Sequence, residues 1–349
     1  MLPEPYVLVC VQPEIQMAQS RADVRANMQK SMEVVGPTVY TYGHRPFGWV
    51  TGRVRLLLFP EYAFSDWRGV FRDIADPLAV GVEIPGPETD LLAAAAKEHG
   101  VYIAAQAIEL HPSFPGHYFN AVFIVDPRGE VIYKRHKLRH LLFALYTSPH
   151  DVLEKYLEVF GRGKTAGETI FPVVRTEIGN LGMMVAHEIA TPEVARQLTA
   201  NGAEAVLFPT NAPPSIWDTM AISRAAENLV YMAVANAAPS TPLTVVSDAG
   251  FSYIIDYRGI VLKRSEGLIP TTIGAVIDID AARKARGQAG LPLYSPDVFD
   301  YFRRPSIPPN LFLEKRLSRA ELEALWAKLL AEDRSAPLPP QPGGRRAGR

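Results

Sequence analysis

Cysteine is almost missing from this chain: Cys10 is the only one in 349 residues. A single thiol excludes an intramolecular disulfide and any cysteine cage for a metal, and it suits a reducing compartment. An excess of either charge is also missing, because 36 basic and 37 acidic side chains nearly cancel. No long-range field therefore draws the chain to nucleic acid or to an anionic membrane surface, and neither is expected as a partner. The opening MLPEPYVLVCVQPE has no basic segment and only a six-residue apolar run, too short for a signal peptide or a membrane span. With no long apolar run elsewhere, the cytoplasm is the expected location. There is no Gly-x-Ser-x-Gly elbow and no phosphate-binding glycine loop, which argues against a serine hydrolase and a P-loop enzyme. His136 and His140 have i,i+4 spacing, but no third ligand is placed beside them, so no metal and no cofactor is expected.

What is present is enough apolar material, 48% of residues, to bury a sizeable core. Short runs rich in Val, Ile and Leu alternate with helical patterns, the mark of an α/β protein with its strands inside. Strands are expected over 6–11, 54–60 and 101–108, a helix over 87–99, and a hairpin over 121–135 that turns at Asp126-Pro-Arg-Gly129. The second half follows the same plan, with strands over 180–185, 205–209 and 232–236, helices over 192–201 and 218–229, and a hairpin over 251–264. That hairpin turns at Asp256-Tyr-Arg-Gly259 and repeats the Asp-x-Arg-Gly spacing of the first. The echo suggests two pseudo-symmetric β-sheets with helices on their outer faces, a four-layer α-β-β-α sandwich, with Cys10 as a small core residue. The segment 17–53 lacks clear periodicity in its GPTVYTYGHRPFGW part and reads as a surface loop or subunit contact. One domain is expected over 1–312. A C-terminal amphipathic helix follows over 313–334, started by the capping box Ser318-Arg-Ala-Glu321, and the Pro-, Gly- and Arg-rich tail 335–349 should be disordered.

Three places carry groups suited to chemistry. Glu61 ends the apolar run VRLLLFPE, and strand ends are where α/β folds place sites, although an acid there is also an ordinary loop residue. Lys137 follows the first hairpin among several cations, and Lys134 is the neighbour confusable with it. In LGMMVAHEIATPEVAR an apolar strand breaks at Ala186-His187-Glu188 and re-enters a helix near Pro192. Such a turn suits a nucleophile and an oxyanion site, yet this one holds no nucleophile.

Together, FPEYAF, DPRGEVIYKRHKL, LGMMVAHEIATPEVARQLTANGAEAVLFPTNAP, SRAAENLVYMAVANAA and GFSYIIDYRG resemble the successive blocks of the nitrilase superfamily of carbon-nitrogen hydrolases, over about residues 6–280. The resemblance implies the four-layer fold and a Glu, Lys and Cys machinery. Glu61 matches the first acid, and Lys137, eight residues after Gly129, matches the lysine. Glu154 resembles the second acid of the carbamoylase branch. Ala186 falls on the cysteine, because Gly182-Met-Met-Val-Ala186-His-Glu188 stands where the family reads Gly-x-x-x-Cys-x-Glu/Asp. In that chemistry the carboxylate takes the thiol proton and later activates water, while the ammonium and a backbone N–H hold the oxyanion. A methyl cannot attack, and loss of a covalent nucleophile costs about six orders of magnitude in turnover. A deliberate exchange made to hold substrate and a homologue that has lost hydrolysis both fit. The survival of Glu61, Lys137 and the elbow favours the exchange.

The arginines that bind a carboxylate after the cysteine in the carbamoylase branch are replaced by Ile189 and Ala190, so an acidic substrate is disfavoured unless an arginine such as Arg139 substitutes. The aliphatic amidase branch is closer, but its short lysine-to-acid spacing is missing. Tyr62, His187, Asn211 and Trp217 are candidate substrate-binding residues. The expected function is an amidase acting on a small carboxamide, and the expected partner a second copy in a homo-oligomer, as in the family. A nitrilase, or a binding or assembly protein without activity, is the alternative.

Overall fold

The computed structural model describes residues 3–14, 16–44, 52–65, 77–138, 146–211, 216–238 and 250–287. The first half runs β1 (Tyr6–Gln12), α1 (Arg21–Met32), α2 (Val35–Gly43), β2 (Val54–Leu58), α3 (Pro77–Val80), α4 (Thr89–His99), β3 (Tyr102–Glu109), β4 (Phe119–Val125) and β5 (Val131–His136). Helices α5 (Leu153–Phe160) and α6 (Ala166–Ile170) lead to β6 (Val174–Thr176) and β7 (Gly179–Met183). Then come α7 (Pro192–Ala200), β8 (Ala205–Pro209), α8 (Ile216–Asn228), β9 (Tyr231–Ala235), β10 (Tyr253–Ile255) and β11 (Val261–Arg264). The described chain closes with β12 (Thr271–Ile277) and α9 (Ile279–Gly287).

The strands form two six-stranded sheets, ordered β12-β1-β2-β3-β4-β5 and β11-β10-β9-β8-β7-β6. Each has a parallel trio, β1-β2-β3 or β7-β8-β9, extended by an antiparallel hairpin, β4-β5 or β10-β11. The period-two alternation of strand side chains separates the layers. Along β1, Val7, Val9 and Val11 join Val24, Met28 and Leu92 of the covering helices. Tyr6, Leu8 and Cys10 face the other way and meet Leu181, Met183 and Leu207 of the second sheet. On the far side Val206 and Phe208 pack under Val194, Leu198, Ala221 and Ala225 of α7 and α8. The result is the α-β-β-α sandwich, with its central core between the sheets.

The repeated Asp-x-Arg-Gly turns are also alike in detail. In one, Asp126 Oδ1 accepts the Arg128 and Glu130 N–H groups at 2.9 and 3.0 Å. In the other, Asp256 Oδ1 accepts those of Arg258 and Ile260 at 2.8 and 2.9 Å. Gly129 and Gly259 close the turns at φ 88° and 83°, a region that excludes most other residues.

The expectation of a loop over 17–53 is corrected, because α1 and α2 occupy most of it. Ser20 and Asp23 form a capping box that starts α1. In α2, Val35, Thr38 and Tyr42 supply a buried stripe, while Gly36 and Pro37 fall in the first turn, where proline is tolerated. Among the described residues no helix is long and apolar enough to cross a membrane. The expected C-terminal helix and tail, and Arg139 and His140, lie outside the described residues.

Candidate active site

Strand β2 is apolar because it is buried in the middle of its sheet, and its continuation Phe59-Pro60 delivers Glu61 to the interior at 3% exposure. Lys137 directly follows β5 and is also buried. Its backbone N–H donates to Asn120 O at 2.8 Å, so the ladder with β4 fixes where the side chain starts. Lys137 Nζ then donates to Glu61 Oε1 at 2.8 Å, and Asn120 Nδ2 donates to the same oxygen at 2.8 Å. Among the described residues no hydrogen bond reaches Oε2. Two opposite charges out of water require such a partner, because either alone would carry its full desolvation penalty. The next residue, Tyr62, sits at φ 59°, a strained conformation for a bulky side chain. Its N–H is held by Gln106 Oε1 at 2.7 Å, and Gln106 is wholly buried.

The choice between the two lysines is made by strand alternation. Lys134 and His136 turn to one side of β5, where Lys134 Nζ meets Glu109 Oε1 at 2.5 Å and Ile84 O at 2.6 Å. His136 Nε2 donates to Glu109 Oε2 while the Tyr156 hydroxyl lies 3.0 Å from Nδ1. Burial holds His136 below its ordinary value. Arg135 and Lys137 turn to the opposite side and toward the elbow.

There one carboxylate joins the two sheets. Glu188, fully buried, takes Arg135 Nη1 and Nη2 at 2.7 and 2.9 Å. Its Oε1 also accepts Leu138 N at 2.8 Å and its Oε2 accepts Val185 N at 2.9 Å. The residue after Lys137 and the residue before Ala186 therefore hang from the two oxygens of a single side chain. Burial would lower the Arg135 pKa, but the Glu188 charge and hydrogen bonds outweigh it and raise the value. Ala186 itself lies at φ 46° and 5% exposure at the start of a 3-10 turn, Ala186–Ala190. Pro192 then opens α7.

Of the remaining sequence candidates, His187 is half-buried with its ring edge-on to Trp217 at 5.7 Å. Asn211 is half-buried just beyond β8, and Tyr62 is buried beside Glu61. Glu154 is exposed on the first turn of α5, and it does not join the Glu61 and Lys137 bonding. The residue α5 sends inward is Tyr156. Four residues went unnoticed in the sequence: Arg135, Asn120, Gln106 and Tyr146. A signal existed only for Arg135, a charge inside a strand. Tyr146 lies 5.8 Å from Lys137 Nζ to its ring centre, stacks on Tyr62 at 6.4 Å and meets Tyr118 edge-on at 5.8 Å. A separate cavity of about 520 Å³ opens between α1, α2 and the end of β1, beyond Phe59 and Ala63, and does not include Glu61, Lys137 or Ala186.

Comparison with known proteins agrees with this architecture. The family model for carbon-nitrogen hydrolases matches residues 14–287. A formamidase from Bacillus cereus is 27% identical over 237 residues, covering 67% of this chain and 62% of the relative. The chain thus spans somewhat under two thirds of the length of the curated relatives it matches. Among solved structures, Saccharomyces cerevisiae Nit3, a member of the nitrilase superfamily, superposes with a TM-score of 0.62 at 18% identity, covering 83% of this chain and 96% of that one. A cysteine-to-alanine mutant of an amidase from Nesterenkonia, in complex with butyramide, superposes with a TM-score of 0.55 at 19% identity, covering 80% and 93%. At these identities the structural likeness carries the fold.

Proposed function

Because the chain belongs to the carbon-nitrogen hydrolase family, we propose that the residues gathered at the ends of β2, β5 and β7 form an amidase site for a small neutral carboxamide, with Ala186 in the place of the nucleophile. The observation that carries this reading is the buried contact of Glu61 with Lys137 at 2.8 Å, beside a turn tied to the same strand end by Glu188. In such a site Glu61 is the base, taking the proton of a nucleophile and later that of water through Oε2, which accepts no hydrogen bond among the described residues. Lys137 and the His187 N–H face the oxyanion, where one such donor contributes about 3–4 kcal/mol to lowering the barrier. Tyr62, His187, Asn211 and Trp217 line the acyl side, and Glu154, exposed, has no part. With a methyl at 186 no thioester forms, and the chain holds its amide without turning it over. The Nesterenkonia mutant, solved with butyramide, is in keeping with a site that still binds when its cysteine is replaced.

Restoring the nucleophile tests this directly. Ala186→Cys should release ammonia from formamide, acetamide or butyramide, measured against the chain as it stands. Turnover of nitriles alone would transfer the assignment to a nitrilase. A folded Ala186→Cys protein that is silent toward the whole panel would refute the amidase reading. It would favour the second one, a binding or assembly protein, which the alanine itself already supports.

A further inference from the structure

Among the described residues Lys137 has a single carboxylate in its bonding, Glu61, and no Asp or Glu occurs between Lys137 and Asp151 in the sequence. An aromatic ring stands beside it instead, Tyr146, buried at 3% exposure. Its hydroxyl has no hydrogen-bond partner among the described residues. Asn120, 1% exposed, gives its Nδ2 hydrogen to Glu61, and its Oδ1 is likewise unpartnered. A buried polar atom without a partner forfeits its hydration, and of those among the described residues these two belong to side chains in contact with the Glu61 and Lys137 pair, which points to a ligand there. Burial, and then the Glu61 charge, push the Tyr146 phenol well above its usual range, so it keeps its proton as a donor.

We propose that Tyr146 and Asn120 recognise the carboxamide group itself, the phenol donating to its carbonyl oxygen and Asn120 Oδ1 accepting from its NH2. This assignment rests on the amidase reading of the same site. A donor and an acceptor left over together match the two ends of a primary amide and of nothing charged. The charges agree with that choice. Glu61 and Lys137 cancel, the phenol and the methyl of Ala186 are neutral, and among the described residues a carboxylate would find no cation beside them to spare. The site is therefore selective for the amide over the corresponding acid, and for primary over fully N-alkylated amides.

Calorimetric titration of the chain as it stands with butyramide, butyrate and N,N-dimethylbutyramide tests the proposal. Butyramide should bind, and each of the other two should bind at least about tenfold more weakly, the effect of one hydrogen bond. Tyr146→Phe keeps the ring, so its Tm without ligand should stay the same or rise, while butyramide affinity falls about tenfold. Three results would overturn the assignment: unchanged butyramide affinity in Tyr146→Phe, a lowered ligand-free Tm, or butyrate binding as tightly as butyramide. These leave the amidase reading standing. Absence of butyramide binding also overturns it, and the Ala186→Cys assay then shows whether the amidase reading falls with it.

Discussion

Glu188 makes four hydrogen bonds with one side chain, two to the Arg135 guanidinium and one each to the N–H groups of Leu138 and Val185. Position 186 is the one proposed for the nucleophile, and Glu188 decides where the turn that carries it sits. Glu188→Gln removes the charge from a pair buried on both sides and leaves Arg135 ionised in an apolar interior. The expected cost is about 3–5 kcal/mol, seen as a lower urea midpoint with an unchanged slope. In the Ala186→Cys background the same change should also depress ammonia release in the fraction that remains folded, because Lys137 and residue 186 lose their common anchor.

Helix α1 is fastened to the start of α4 by Arg21, which donates to both oxygens of Glu88 at 2.7 and 2.8 Å. Hydrogen bonds from Arg21 hold the Glu88 carboxyl below its ordinary value. A carboxylate whose pKa is lower folded than unfolded stabilises fully above the unfolded value of about 4.3, and this contribution is lost as pH falls through the folded value. Urea midpoints taken from about pH 6 down to about pH 3 should therefore fall more steeply for the chain as it stands than for Arg21→Met. The strands were the legible part of this molecule, since period two and β-branched runs state burial directly. Helix α2 was not, because Gly36 and Pro37 imitate a loop and the stripe of Val35, Thr38 and Tyr42 is only half apolar. At the candidate site, Glu61 and Lys137 stood out in the sequence by their places in the blocks that carry the resemblance, and the structure brings the two into contact. Glu154 misled because distance along the chain does not say which face of α5 turns inward, and Tyr156 is the residue that does. Asn120 and Tyr146 look ordinary in sequence, and their setting exists only once β2, β4 and β5 are side by side.

The two sheets hold the molecule together through the layer between them, where Leu8, Leu56, Leu207 and Ile254 are wholly or almost wholly enclosed. Leu207→Ala should cost about 2–5 kcal/mol, the range for a leucine truncated in a core, and a thermal melt should show one lowered transition because both sheets share that layer. A consequence of the Glu61 and Lys137 contact concerns history. Each charge guards the other, since replacing either alone strands its partner in the interior. Folding alone therefore penalises every first step away from the pair, whereas the methyl at 186 has no charge to balance. Had turnover been given up long ago, descendants would still inherit both ions from the demands of folding, around a position released from chemistry.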